Sequence, residues 1–416
     1  MDYRIEFDTP LDDLPSVDIL RRHFYKLVVW IFCILSIILV CFDWIEYING
    51  ISLLAKPVTR GFLFLLFVIC ILDPKTWRTG KHFFLALPLI ALSFLFVTYA
   101  LLEENIAAGL YYSSKIVFWI VGTTFVYRML LMKYLRLNHI YKICYFVVLI
   151  YSIMICYVFF NPLRQFSQNI SIYVVVWCVP LLSMGINKFF NKFFIGLAIV
   201  CIFLSFKRGA MLATILSFFC YLAIYFVTNS SFKNAVKIFS LVLSFIFILF
   251  ISLAIIKNDR PEFFEKRISD IVNKDKAIGS GRGAFYPYIF SNYISSFSRS
   301  TFNFFFGFGS RSVENLTGGM YAHSDWLQLL HAYGIFGFFV LIWLHASIFF
   351  LLLKGIKSQF VKTPSLAMNY VIFFLLNIYS GMIFSPESLY FGMFHSVYHY
   401  AWLEHQYGLK LEKQDT

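Results

Sequence analysis

The stretch from Ala322 to Leu353, AHSDWLQLLHAYGIFGFFVLIWLHASIFFLLL, changes character partway along. Up to Tyr333 it mixes His323, Asp325, Gln328 and His331 with apolar residues. From Gly334 onward it holds no Asp, Glu, Lys or Arg, and it is long enough to cross a bilayer, which takes about 20 apolar residues. A polar segment running straight into a span sits at a membrane surface. Read backward, it closes a polar island that begins near Asn258 and also contains the glycine-laced run GSGRG, Gly279 to Gly283. Almost everything outside the island reads as membrane, so chemistry is expected to concentrate inside it.

Composition agrees. Of 416 residues, 60% are hydrophobic, 21% aromatic and only 14% charged, beyond what a soluble domain of this length carries. The class is an all-α polytopic membrane protein of about twelve transmembrane helices with one large outer loop between helices 9 and 10. The spans lie near residues 25–47, 51–73, 83–102, 108–128, 141–160, 168–186, 190–206, 209–228, 237–257, 334–353, 367–385 and 387–403. Lys56 and Arg60 weaken the second, Lys115 the fourth, and His395 and His399 the last. This divides the chain into a polar tail (1–24), helices 1–9 (25–257), the loop with short interfacial helices (258–333), helices 10–12 (334–403) and a second tail (404–416).

The net charge of +13 does not call for nucleic acid, because the basic residues sit in short clusters between apolar segments. With an internal N-terminus, alternate loops are basic: Lys75, Arg78 and Lys81; Arg128, Lys133, Arg136 and Lys142; Lys188 and Lys192; Lys233 and Lys237; Lys354, Lys357 and Lys362. Short basic loops stay cytoplasmic, so both termini face the cytoplasm and the island lies outside, in the periplasm of a Gram-negative host. The eight cysteines all fall in apolar stretches and suggest neither disulfides nor a thiolate metal site.

That topology joins distant residues. Arg208, in LSFKRGAML, falls at the outer boundary where the seventh span ends and the eighth begins. A boundary arginine must pair, snorkel or meet a ligand, and Arg208 with Gly209 beside it is the functional candidate, whereas Lys207 reads as snorkelling to headgroups. Arg282, flanked by Gly281 and Gly283, suits a bulky anion, since its planar fork donates two parallel hydrogen bonds and the glycines permit close approach. The competing reading is a plain glycine turn with a solvated arginine; a P-loop is excluded by the missing strand and GK[ST] ending.

His323 is the third candidate, an imidazole able to accept or orient a hydroxyl proton near neutral pH, weighed against an ordinary interfacial histidine. Asp325 followed by Gln328 resembles a capping box that would start a short amphipathic helix after it, with His331 structural. Tyr286 and Trp326 are candidates for stacking on sugar, although interfacial anchoring is the commoner use of such rings. Pro261 to Ala277 suits a helix in the interface plane, and Phe285 to Phe297 and Phe302 to Gly309 read as scaffolding.

Three motifs in order carry a family resemblance: Arg208-Gly-x-x-Leu212 at the outer end of a span, GSGR ending at Arg282, and His323-Ser324 followed by nine residues and Gly334-x-x-Gly337. Together they resemble the bacterial O-antigen polymerase (Wzy-type) and O-antigen ligase superfamily, by motif over roughly residues 200 to 355 and by topology throughout. The resemblance implies a C-type glycosyltransferase architecture in the inner membrane with its active site facing the periplasm. The implied substrates are an undecaprenyl-diphosphate-linked glycan donor and acceptor, with membrane lipids and a chain-length regulator as further partners.

Arg208, Arg282 and His323 would be catalytic, with Gly281, Gly283, Tyr286, Ser324 and Trp326 contacting substrate. No metal and no cofactor is expected, since the island lacks an Asp-x-Asp pair and any acidic cluster suited to Mg²⁺. A polymerase extends a lipid-linked repeat unit and a ligase transfers to the lipid A core; the long island with HSDWLQLL favours the polymerase. A lipid-linked oligosaccharide flippase, expected to show paired halves and mid-membrane ionisable residues, is the more distant alternative, and a non-catalytic assembly subunit a further one.

Overall fold

The computed structural model describes residues 16–49, 54–73, 85–103, 106–160, 172–185, 188–205, 207–228, 282–319 and 322–407, with isolated positions between 246 and 265. Most of the expected ninth span and of the Pro261 to Ala277 segment, together with Gly279, Gly281 and the basic loop from Lys75 to Lys81, lie outside the described residues. Every regular element described is helical, as expected of an all-α membrane protein.

In chain order the helices are α1 (Ser16–Asn49), α2 (Ala55–Leu72), α3 (Ala86–Leu102), α4 (Ile106–Leu131), α5 (Leu137–Phe160), α6 (Ile172–Ser183), α7 (Phe189–Leu204) and α8 (Arg208–Thr228). Then come α9 (Arg282–Arg299), α10 (Thr301–Phe306), α11 (Ser312–Leu316), α12 (Asp325–Lys357), α13 (Thr363–Tyr379), a 3-10 turn (Pro386–Ser388) and α14 (Leu389–Tyr407). Among the described residues six segments, in α1, α2, α4, α5, α8 and α12, are long and apolar enough to cross a membrane, and α3, α6, α7 and α13 are shorter apolar helices. Helix α1 begins at Ser16, inside the stretch expected to be a tail.

The second span forms despite its charges because each is answered. Lys56 pairs with Asp43 and Glu46 at the end of α1, and Arg60 pairs with Glu387 at 2.9 Å. Inside the bundle, association cannot draw on the hydrophobic effect, since lipid is as apolar as leucine; close packing and polar contacts hold the helices instead. Asn369 on α13 meets His395 on α14 at 3.0 Å, Asn377 meets His345 on α12 at 3.1 Å, and Ser183 donates to Ser365 at 2.8 Å. Each such contact contributes about 0.6–2 kcal/mol.

Contacts sort the helix ends into two rims. One carries the end of α1, the starts of α2, α6 and α8, the end of α3 and residues 300–319: Tyr99 donates to the Phe306 carbonyl, and the Ser310 N–H donates to Glu103 at 2.8 Å. The opposite rim is basic. There Arg21 bonds Asp73 at 2.7 Å, Arg128 donates to the Ile71 carbonyl at 2.8 Å and Lys362 donates to the Met184 carbonyl. The candidate residues among those described lie on the first rim.

Candidate functional site

The site is assembled around the C-terminal end of α13. Helix α13 stops because Gly381 turns the chain at φ 66°, and the Ser380 and Gly381 N–H groups close back on the Leu376 carbonyl at 2.8 and 3.2 Å. Three separate elements then dock on residues 377–380.

The first is the head of α8. Arg208 is its opening residue, half-buried, in a first turn that holds no acidic side chain. A helix N-terminus carries unmet N–H donors and a partial positive charge, which adds to the guanidinium for an anion. Tyr379 fixes this head by donating to the Gly209 carbonyl at 2.7 Å, and a Cβ at Gly209 would come within 2.6 Å of the Tyr379 ring. Position 209 must therefore be glycine for the two helix ends to meet. Lys207, expected to snorkel, instead holds its ammonium 4.1 Å from the centre of the Tyr173 ring, whose hydroxyl accepts from Ser380 at 2.6 Å. A phenol face attracts an ammonium that would otherwise seek headgroups.

The second is α9, which starts at Arg282, so Arg282 and Gly283 form a helix head and not a free turn. One turn on, the Tyr286 hydroxyl lies 3.5 Å from the His323 carbonyl and 3.4 Å from the Ile378 carbonyl, long contacts that nonetheless tie α9 to both. The helix is amphipathic: Ile289 and Tyr293 are buried, while Tyr288, Phe290, Ile294 and Phe297 face outward. Ile289, Val313 and Ala322 make a small core of their own beneath the loop.

The third is the approach to α12. His323 is exposed at φ 53°, between buried Ala322 and buried Ser324, so the left-handed turn throws the imidazole outward while its neighbours are anchored. The Ser324 hydroxyl lies 3.5 Å from the Asn377 carbonyl. The expected capping box does not form. Ser324 occupies the N-cap without a side-chain cap bond; Asp325, fully buried, accepts from the Ile383 N–H at 3.0 Å, and Gln328 donates to Glu314 at 3.3 Å. A buried carboxylate takes the donor it can reach across the fold, since leaving it unmet costs more than an exposed cap is worth.

Trp326 packs inward, stacked on His345 with ring centres 5.0 Å apart and edge-on to Phe338 and Phe374. His331 is structural, bonded to Ser312 at 2.8 Å and Asn292 at 3.1 Å. Burial pushes the Glu314 carboxyl above its ordinary value.

Gly334 explains the glycine after His323 at the given spacing. At φ 65° and ψ −159° it breaks α12, and the carbonyls of His331 and Ala332 are met from outside by the N–H groups of Phe308 and Gly309, both at 3.0 Å. A Cβ at Gly334 would lie 2.4 Å from the Phe305 carbonyl oxygen, and one at Gly307 would lie 2.4 Å from Ala332. The loop thus seals the break that positions His323.

The sequence singles out Arg208, Arg282 and His323 as candidates but not Asn377, Ile378, Tyr379 or Ile383, the seat on which their elements rest. The available signal was Gly381 closing an apolar span, with Pro386 shortly after. Arg208, Tyr286, His323 and Ser324 gather there; Trp326 joins the aromatic packing behind.

Residues 193–342 match the family model described as O-antigen ligase. The matched stretch takes in Arg208, Arg282, His323, Gly334 and Gly337, and the match supports the resemblance to the O-antigen polymerase and ligase superfamily. No curated protein matches the chain.

Proposed function

We propose that the protein is a surface-polysaccharide polymerase with a C-type glycosyltransferase architecture of about twelve spans, working on the periplasmic side of the bacterial inner membrane. It transfers an undecaprenyl-diphosphate-linked glycan chain onto a lipid-linked repeat unit. The observation that supports this is the docking of three motif-bearing elements on residues 377–380. Arg208, at the head of α8, and Arg282, at the head of α9, neutralise the diphosphate, with Gly281 and Gly283 giving it room. His323 orients the acceptor hydroxyl and takes its proton as the hydroxyl oxygen bonds to the anomeric carbon. The bond from that carbon to the diphosphate oxygen breaks with inversion, and its electron pair leaves on the diphosphate, where charge develops and the guanidinium groups act. Tyr286 contacts the His323 carbonyl, and Ser324 ties the next residue to Asn377.

A second reading, transfer of the lipid-linked polymer to the lipid A core, is favoured by the description of the matched family as O-antigen ligase. Surface polysaccharide ladders from cells carrying His323→Ala or Arg282→Ala, at normal protein abundance, decide. Loss of long chains with single-repeat capping retained supports the polymerase. Full-length lipid-linked polymer beside a bare core supports the ligase, and unchanged ladders overturn both.

A further inference from the structure

Past the break at Gly334, the membrane-spanning part of α12 carries a buried imidazole, that of His345. An ionisable side chain inside a bundle is costly unless it is bonded, so what it touches is informative. The Asn377 amide donates to the His345 Nε2 at 3.1 Å, and the ring stacks on Trp326 with centres 5.0 Å apart and planes 15° apart. Trp326 stands at the head of α12, just after His323, and Asn377 lies in the last turn of α13. His345 therefore joins the two elements that meet under His323. The remaining walls are aromatic, with Phe373 at 4.9 Å and Phe374 and Tyr370 edge-on at 5.6 and 5.9 Å. A phenylalanine would fill this box with no polar atom to satisfy. What the imidazole adds is Nε2, and the packed rings aim it at Asn377.

Asn377 is also where the candidate site is fastened. Its backbone carbonyl faces the Ser324 hydroxyl at 3.5 Å, and Tyr379, in the same turn, donates to the Gly209 carbonyl at 2.7 Å. Its amide oxygen has no hydrogen-bond partner, so the side chain is held through its bond to His345. A shift of this turn would change the separation of His323, the group proposed to take the proton, from Arg208, proposed to meet the diphosphate. In a reaction that depends on aligned groups, a misplacement of about 1 Å costs on the order of a hundredfold in rate.

We propose that His345 is a positioning residue for the transfer reaction: through Asn377 and Trp326 it holds the end of α13 and the head of α12 in one register, and so sets His323 against Arg208. It reaches no substrate itself. The inference rests on the roles proposed above for His323 and Arg208.

The test is steady-state polymer formation by the detergent-purified full chain, using undecaprenyl-diphosphate-linked repeat units extracted from cells that lack the protein. His345→Phe keeps the aromatic packing and removes Nε2. The expected result is a melting temperature within a few degrees of the unmodified chain, an unchanged KM, and a kcat lower by about ten- to a hundredfold. His345→Gln, which restores an acceptor, should recover most of the loss, and Asn377→Leu should match His345→Phe. The two combined should be no slower than either alone, since both remove the same bond. An unchanged kcat in His345→Phe, losses that multiply in the double variant, His345→Gln no faster than His345→Phe, or a kcat that merely follows melting temperature would each overturn the proposal. An inactive His323→Ala beside a normal His345→Phe overturns this inference alone. No polymer from the unmodified chain, or full activity of His323→Ala, would overturn the polymerase reading and this inference with it.

Discussion

Before Gly334, helix α12 turns Asp325, Gln328 and His331 inward and bonds each to a different partner: the Ile383 N–H, Glu314, and Ser312 with Asn292. After Gly334 the same helix presents Phe339, Trp343, Phe349 and Phe350 outward, and His345 with its bond to Asn377 is the main polar tie. One segment is specified by named hydrogen bonds and the other by apolar length. In the first, a single atom out of place is costly; in the second, one apolar residue substitutes for another because lipid accepts either.

The harshest way to break this contrast is Gly334→Ala. A methyl 2.4 Å from the Phe305 carbonyl oxygen, on a backbone at φ 65°, should cost more than about 3 kcal/mol. Membrane-inserted protein, measured by immunoblot, and polymer length should both collapse. Next, Asp325→Ala strands the Ile383 N–H and should cost about 1–3 kcal/mol. Thermal unfolding in detergent should show a clear drop that Asp325→Asn, which keeps an acceptor, largely restores. His331→Leu, losing Ser312 and Asn292, should cost about 1–2 kcal/mol by the same measurement, with shortened ladders although His323 is untouched.

Beyond the break the effect should fade. Phe339→Leu, on a side chain 57% exposed, should change stability by less than about 0.5 kcal/mol. The smallest expected effect is one of pH. Burial raises the folded-state value of Glu314, so the stability it contributes is full below the ordinary carboxylate value of about 4.3 and is lost as pH rises through the raised one. Glu314→Gln should flatten that part of a melting-temperature profile, and an unchanged slope would show that another group sets it.

The same contrast governs what could be read from residues alone. The tail of α12, α5 and α8 announce themselves by apolar length. Even α2 was legible, although Lys56 and Arg60 looked like interruptions, because their partners were acidic residues elsewhere. Asp325 and Gln328 misled: spacing suggested a local cap, and both side chains serve distant partners instead. The seat on α13 left almost no trace. Tyr379 reaches Gly209 across 170 positions and Tyr286 reaches Ile378 across 92, and both contacts end on backbone carbonyls, which every residue has. Glycine and arginine motifs mark where the elements begin, but not what they rest on.

That seat bears on how such chains can be recombined. A graft exchanging only residues 282–323 with a relative would transplant the arginine and the histidine yet leave their footing behind in 377–383. Tyr286 would then meet a foreign surface at Ile378. A workable chimaera needs the outer loop, the head of α8 and the close of α13 to travel together, although they lie far apart in the chain.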